Sequence, residues 1–231
     1  MQTAKKLKAA FLICPGYFVT DICDAHAIIG IQPDTEVHLV WKNRKPVIGH
    51  PNYPTIPTKT FEDCPDDLDI LAVGMIPKEI MYDEEVINFF KKHAENGCYL
   101  MGICGGDLLL GAAGLLKGKH ATSNFHCTEY LEKFGAIPVN TSEVVVDGKL
   151  YTTGPSHGCM EAALMLISEL RGRETAELAE LTLEYEPHPP FKCGSPNTAT
   201  KEQVAIVNGI LGEIFDDIID AAHETFLKLN G

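Results

Sequence analysis

Three short apolar runs, each closed by glycine, proline or cysteine, limit what this chain can fold into more than any other feature. They are KAAFLICP (8–15), LDILAVG (68–74) and CYLMGIC (98–104). Nearly unbroken apolar stretches of this length are what strands need when both faces of a sheet are covered. Helical patterns lie between and after them. DEEVINFFKKHAENG (83–97) begins with acidic residues, spaces Val86, Phe89 and Phe90 along one face, and stops at Asn96–Gly97. VTDICDAHAIIGI (19–31), DLLLGAAGLLKG (107–118), TEYLEKFG (128–135) and CMEAALMLISELRG (159–172) read as further helices. TEVHLVWK (35–42) alternates as a strand does, HATS (120–123) starts a short strand, and EVVVDGKLYTTG (143–154) predicts a hairpin around Asp147–Gly148. The segment 50–65, rich in proline and threonine, reads as loop with short extended pieces, and 200–230 as one long helix or two. Strand–helix–strand repetition predicts an α/β fold with a mostly parallel central sheet. No repeat or linker divides the chain, so 1–231 is expected to form one domain, with 185–231 as a proline-rich arm and a C-terminal helix packed on it.

Composition excludes several classes of function. The 231 residues carry a net charge of −13, and lysine and arginine form no basic stripe, so nucleic acid is not an expected partner. No segment approaches the roughly 20 apolar residues that span a bilayer, and Pro15–Gly16 interrupt the only leader-like run. The eight cysteines are scattered, without CxxC pairs or zinc spacing. They read as reduced thiols of a cytoplasmic protein. No ligand cluster and no glycine-rich fingerprint after the first strand points to a metal or an organic cofactor. A small molecule is the expected partner.

Cys104 ends the third run and directly precedes Gly105–Gly106. Ligands of open α/β sheets collect at the carboxyl ends of strands. Two glycines permit a tight turn there, and the following helix offers unpaired N–H groups and a positive dipole end, which predicts a lowered thiol pKa. This is a nucleophile-elbow pattern with sulfur in place of oxygen. A small buried cysteine is the alternative reading. Asp21 reads either as a helix N-cap or as a site carboxylate, and Asp107 as a first-turn partner of the helix dipole.

Gly102-Ile103-Cys104 followed by LLLGAAGLLKGKHAT (108–122) resembles the cysteine-elbow region of the DJ-1/PfpI superfamily, most closely its isocyanide (isonitrile) hydratase branch. The likeness extends over most of the chain, through VTDICDAHAIIG, FEDCPDDLDILAV, FGAIPV and LTLEYEPHPPFKCGSPNTA. It implies a flavodoxin-like three-layer sandwich and a homodimer. It implies Cys104 as nucleophile and Asp21 as the carboxylate that handles protons. The reaction implied is attack of the thiolate on an isocyanide carbon, then hydrolysis of the thioimidate to an N-substituted formamide.

The chain also departs from that pattern. Gly105 stands where hydratases carry a hydroxyl residue. Asn124 replaces a histidine that many relatives have, and His126 follows two residues on. Gly74-Met75-Ile76-Pro77 replaces a Pro-Gly-Gly loop whose N–H groups face the substrate, which predicts Gly74, Met75 and Ile76 as pocket residues. His157 occupies a position usually small or hydroxylated and reads as either a helix-end residue or a new proton donor. Two other functions fit the same residues: an amidase-like or glyoxalase-like enzyme, or a thiol redox sensor without turnover.

Overall fold

The computed structural model describes residues 6–230. Strand β1 (Leu7–Leu12) leads through a 3₁₀ turn (Val19–Asp21) into α1 (Cys23–Gly30) and β2 (Thr35–Val40). A hairpin of β3 (Val47–Gly49) and β4 (Tyr53–Thr55) follows, then β5 (Ile70–Val73), α2 (Lys78–Met81), α3 (Glu84–Glu95) and β6 (Tyr99–Ile103). A second 3₁₀ turn (Cys104–Gly106) opens α4 (Asp107–Ala112). Beyond β7 (His120–Ala121) come a third 3₁₀ segment (Thr128–Phe134), β8 (Ile137–Pro138), β9 (Val145–Asp147) and β10 (Leu150–Thr153). Helices α5 (Gly158–Arg171), α6 (Arg173–Thr182) and α7 (Lys201–Asn230) complete the order.

The central sheet runs β2-β1-β5-β6-β10-β9. All its neighbours are parallel except β9, which pairs antiparallel with β10 through Gly148–Lys149. Burial explains the apolar runs: every residue of β5 is buried, as are Leu100 to Ile103 of β6 and all but Lys8 in β1. Helices cover both faces, as the strand patterns require. α1, α5 and α6 form one packed group, and α4, α2 and α7 another. The side chain of Asp83 caps α3 by accepting from Glu85 N and Val86 N, and Gly97 leaves it at φ +83°.

Three elements differ from expectation. The helix expected over 107–118 stops at Ala112, and Gly114 takes φ +75°. The segment 128–135 winds as 3₁₀ rather than α. The loop over 50–65 does contain a short extended piece as expected, β4, whose partner β3 precedes it. The arm 185–200 is exposed almost throughout, whereas the tail is one continuous helix whose second half packs on the body through Phe215, Ile218, Ile219 and Ala222. Burying each of those large side chains contributes roughly 1.5–3 kcal/mol. Among the described residues, no helix is long and apolar enough to cross a membrane.

Candidate active site

Cys104 follows β6 immediately and takes φ +58°, a left-handed conformation that costs a non-glycine residue roughly 1–3 kcal/mol. The strain sits on the cysteine itself, not on the glycines behind it. Its carbonyl holds it there by accepting from Ser123 Oγ at 2.6 Å and from Asn124 N at 3.1 Å. The glycines serve close approach. A Cβ on Gly106 would lie 2.3 Å from the carbonyl oxygen of Val73, so the turn nests against the end of β5 only without a side chain. A Cβ on Gly105 would meet Phe215 Cε1 at 3.3 Å and Met75 Cγ at 3.5 Å.

The amide of Asn124 faces the sulfur, with Nδ2 at 3.4 Å from Cys104 Sγ. Its orientation follows from its own bond, because Oδ1 accepts from His126 N at 3.1 Å. Asn124 therefore supplies a donor where the sulfur needs one. Even so, burial pushes the Cys104 thiol well up, and the Asp21 charge adds to this; Asn124 and the Gly105 N–H oppose it only in part. This corrects the expectation of a lowered pKa. Desolvation of a side chain only 6% exposed outweighs a short helix's dipole, so the resting sulfur is a thiol.

Asp21 closes the first 3₁₀ turn and is fully buried. It is not an N-cap: Ile22 holds that position at α1. Its Oδ2 accepts from Met75 N at 2.7 Å, and its Oδ1 is buried without a partner. Burial pushes the carboxyl up to about 6, while the Ser156 side chain and the Met75 N–H draw it down. Gly74 is required here, since a Cβ on it would lie 2.4 Å from Asp21 Cβ. The Met75 N–H expected to face substrate is thus already spent on Asp21.

Asp107 is fully buried, and both of its carboxyl oxygens lack partners. It fits because Gly102 has no side chain: a Cβ there would meet Oδ1 at 1.8 Å. Burial drives its carboxyl well above the usual range, opposed by Ser123 and reinforced by Asp21. Burial thus works against the charged form that the expected first-turn dipole role would use.

A cavity of about 600 Å³ opens over the sulfur. Cys104, Met75, Ile76 and Asn124 line it, and Ser156 lines it in place of His157. His157 stands exposed at the start of α5 without capping it, so the structure does not bring it to the sulfur. The inward hydroxyl was missed by one position, the neighbour of the residue singled out. His126 turns toward α7 and stacks on Phe215, with centroids 4.9 Å apart and 14° between the ring planes. The α7 wall of the cavity carried no sequence signal beyond an apolar helix. Among the described residues, no group of three or more His, Cys, Asp or Glu gathers as a metal site would.

The DJ-1/PfpI family pattern matches residues 8–169. The chain is 42% identical to an isonitrile hydratase of Pseudomonas putida over 195 residues, 84% of this chain and 85% of that protein. It is 31% identical to a deglycase of Thermococcus kodakarensis over 116 residues, 49% of this chain and 69% of that one. A crystal structure of a ThiJ/PfpI family protein from Pseudomonas syringae superposes with a TM-score of 0.89 at 32% identity, covering 95% of this chain and 91% of the other.

Proposed function

Because this chain belongs to the DJ-1/PfpI family, we propose that it is a cysteine-dependent hydratase that converts an isonitrile and water into an N-substituted formamide. The observation that carries this reading is a sulfur that lines the cavity and feels the charge of a buried carboxyl behind the lining. A strained Cys104 faces the Asn124 amide at 3.4 Å, and a buried carboxyl, Asp21, has one oxygen fixed and the other free.

The steps follow from these groups. Asp21, ionised above about pH 6, takes the thiol proton as sulfur bonds to the terminal isonitrile carbon. The same proton passes to that carbon, which leaves a thioimidate, R–N=CH–S–Cys104. Asp21 then takes a proton from water, whose oxygen adds to the carbon while the nitrogen gains the proton. The carbon–sulfur bond then breaks as the added hydroxyl becomes the formamide carbonyl, and the hydroxyl proton passes through Asp21 to the sulfur. Because the resting sulfur is a thiol, proton transfer and attack occur together. The Asn124 amide stabilises charge on sulfur at both ends of the sequence.

The protein acts as a cytoplasmic homodimer that needs no metal or organic cofactor. All eight cysteines are free, which suits a reducing compartment. The first half of α7 leaves Ile206 and Ile210 exposed, and the arm exposes Phe191, an apolar surface that suits a second copy.

The test is turnover of an isonitrile panel, followed by loss of the isonitrile infrared band and appearance of the formamide proton. Wild type turns over and Cys104→Ala does not. Absence of turnover by the wild type, with turnover of an α-oxoaldehyde instead, would transfer the assignment to a carbonyl substrate, as the match to a deglycase allows.

A further inference from the structure

Asp21 is fully buried and does not line the cavity, so water standing in the cavity meets it only through another group. Three residues line the cavity and also interact with the Asp21 carboxyl: Cys104, Met75 and Ser156. Met75 does so through its backbone N–H, which gives its one hydrogen to Oδ2 at 2.7 Å and takes up no second proton. Cys104 carries no proton while its sulfur is bonded to substrate. Ser156 remains. Its hydroxyl is the only one in the lining, and Gly105, directly after the sulfur, brings none. A hydroxyl has a hydrogen to give and lone pairs to receive one. His50 and Glu79 also line the cavity, but neither perturbs the Asp21 carboxyl.

The fold holds Ser156 from both sides. A Cβ on Gly154 would lie 2.3 Å from the carbonyl oxygen of Ser123 and 3.5 Å from Asn124 N, so the chain enters this turn tight against the loop that carries Asn124. Beyond the turn, Cys159 N donates to Ser156 O at 3.2 Å, and Cys159 Sγ lies 3.9 Å from the carbonyl oxygen of Thr20, the residue before Asp21. Half-buried Ser156 thus stands between the Asn124 loop and the Asp21 turn.

We infer that Ser156 is a catalytic residue of the second half of the reaction, the relay that carries protons between Asp21 and the water that releases the product. In the first half the proton moves from the sulfur to the carbon bonded to it, beside the thiol that feels the Asp21 charge. In the second it starts on water, farther into the cavity. As the water oxygen bonds to the thioimidate carbon, one water hydrogen passes to Ser156 Oγ and the Ser156 hydrogen passes to Asp21. The reverse transfer hands that hydrogen to the substrate nitrogen, and Ser156 ends as it began. The hydroxyl proton given up as the formamide carbonyl forms takes the same route to Asp21 and on to the sulfur.

This inference rests on the hydratase reading, and two probes separate them. With cyclohexyl isonitrile at pH 8, rapid quench and intact mass follow the Cys104 adduct. Ser156→Ala is expected to accumulate that adduct, with kcat and KM both lowered about 10²-fold and kcat/KM within about 3-fold of wild type. Ser156→Gly does the same, and Ser156→Thr, which keeps the hydroxyl, keeps turnover. An unchanged kcat, or a loss that falls equally on kcat/KM without adduct, overturns the relay and leaves the hydratase reading standing. The second probe is 4-nitrophenyl acetate, whose acetyl group on Cys104 must be removed by water from the same cavity. Its lifetime lengthens about 10²-fold in Ser156→Ala and not in Ser156→Thr. If no isonitrile reacts but this lengthening is seen, the relay stands and the hydratase reading fails. Equal acetyl lifetimes overturn the relay. If neither probe modifies Cys104, both readings fall.

Discussion

Oδ2 of Asp21 is bound to the backbone N–H of Met75 at 2.7 Å, and this single bond decides which oxygen of the carboxylate is left for chemistry. Burial pushes this carboxyl up to about 6, and in the proposed reaction it must be ionised to act as base. We expect kcat/KM to rise with an apparent pKa near 6 and then to stay level through pH 8, because the thiol is held far above its usual value. Asp21→Asn removes the rising limb and lowers the rate by roughly 10²–10⁴-fold. A profile measured from pH 4.5 to 9 that falls on the alkaline side of pH 7 would contradict this assignment of acid and base.

The same carboxyl makes folding pH-dependent. Its folded pKa lies above its ordinary 3.8, so the native state binds the extra proton. Its contribution is complete below pH 3.8, declines as pH rises through about 6, and stays lower beyond. The shift corresponds to about 3 kcal/mol at most. Asp21→Asn should therefore match wild type near pH 4 and exceed it at pH 7.5, with the gap opening between those values. Thermal unfolding of both proteins across pH 4–8 measures this. A constant gap would mean that the carboxyl is not raised on folding.

Gly105 and Gly106 are adjacent but not equivalent. A methyl group at 106 would press into backbone at 2.3 Å, and backbone cannot turn aside. At 105 it meets the edge of the Phe215 ring and the Met75 side chain, both able to yield by tenths of an ångström. Gly106→Ala is expected to cost roughly 2–3 kcal/mol in urea denaturation, and Gly105→Ala under about 1 kcal/mol. Equal losses would show that the turn, not the neighbouring β5 carbonyls, sets the requirement.

His157→Asn should leave both rate and pH profile unchanged, since the imidazole is exposed and does not line the cavity. Ser156→Ala should act through Asp21, because the Ser156 side chain draws that carboxyl down. Its kcat/KM limb moves to higher pH. A shift in His157→Asn alone would place the proton donor on the imidazole after all.

How legible these features were depended on how locally each is determined. β5 and β6 announce themselves as unbroken apolar runs because both faces are buried, and α3 by its Asp83 and Gly97 ends. The elbow showed as Cys104 before two glycines, although the left-handed residue proved to be the cysteine. Most of what escaped depends on distant contacts. One miss was local: α4 ends in a glycine cap, with Gly114 at φ +75° and the N–H groups of Gly114 and Leu115 donating to the carbonyls of Gly111 and Leu110, a stop that the apolar run on either side masked. The thiol's raised pKa reflects burial to which α7 contributes through Phe215, far along the chain. The choice between Ser156 and His157 turned on the direction of one side chain in a turn, where no period of 2 or 3.6 applies.

The distance along the chain between Cys104 and Phe215 has a consequence for synthesis. Cys104, its strained turn and the sheet beneath them leave the ribosome well before the helix that covers them. Until α7 docks, the sulfur faces water, without the desolvation that keeps it protonated in the finished protein. The nascent chain therefore passes through an interval in which its reactive group is open to any electrophile in the cell. Docking of the last helix ends that exposure and completes the cavity wall in the same step.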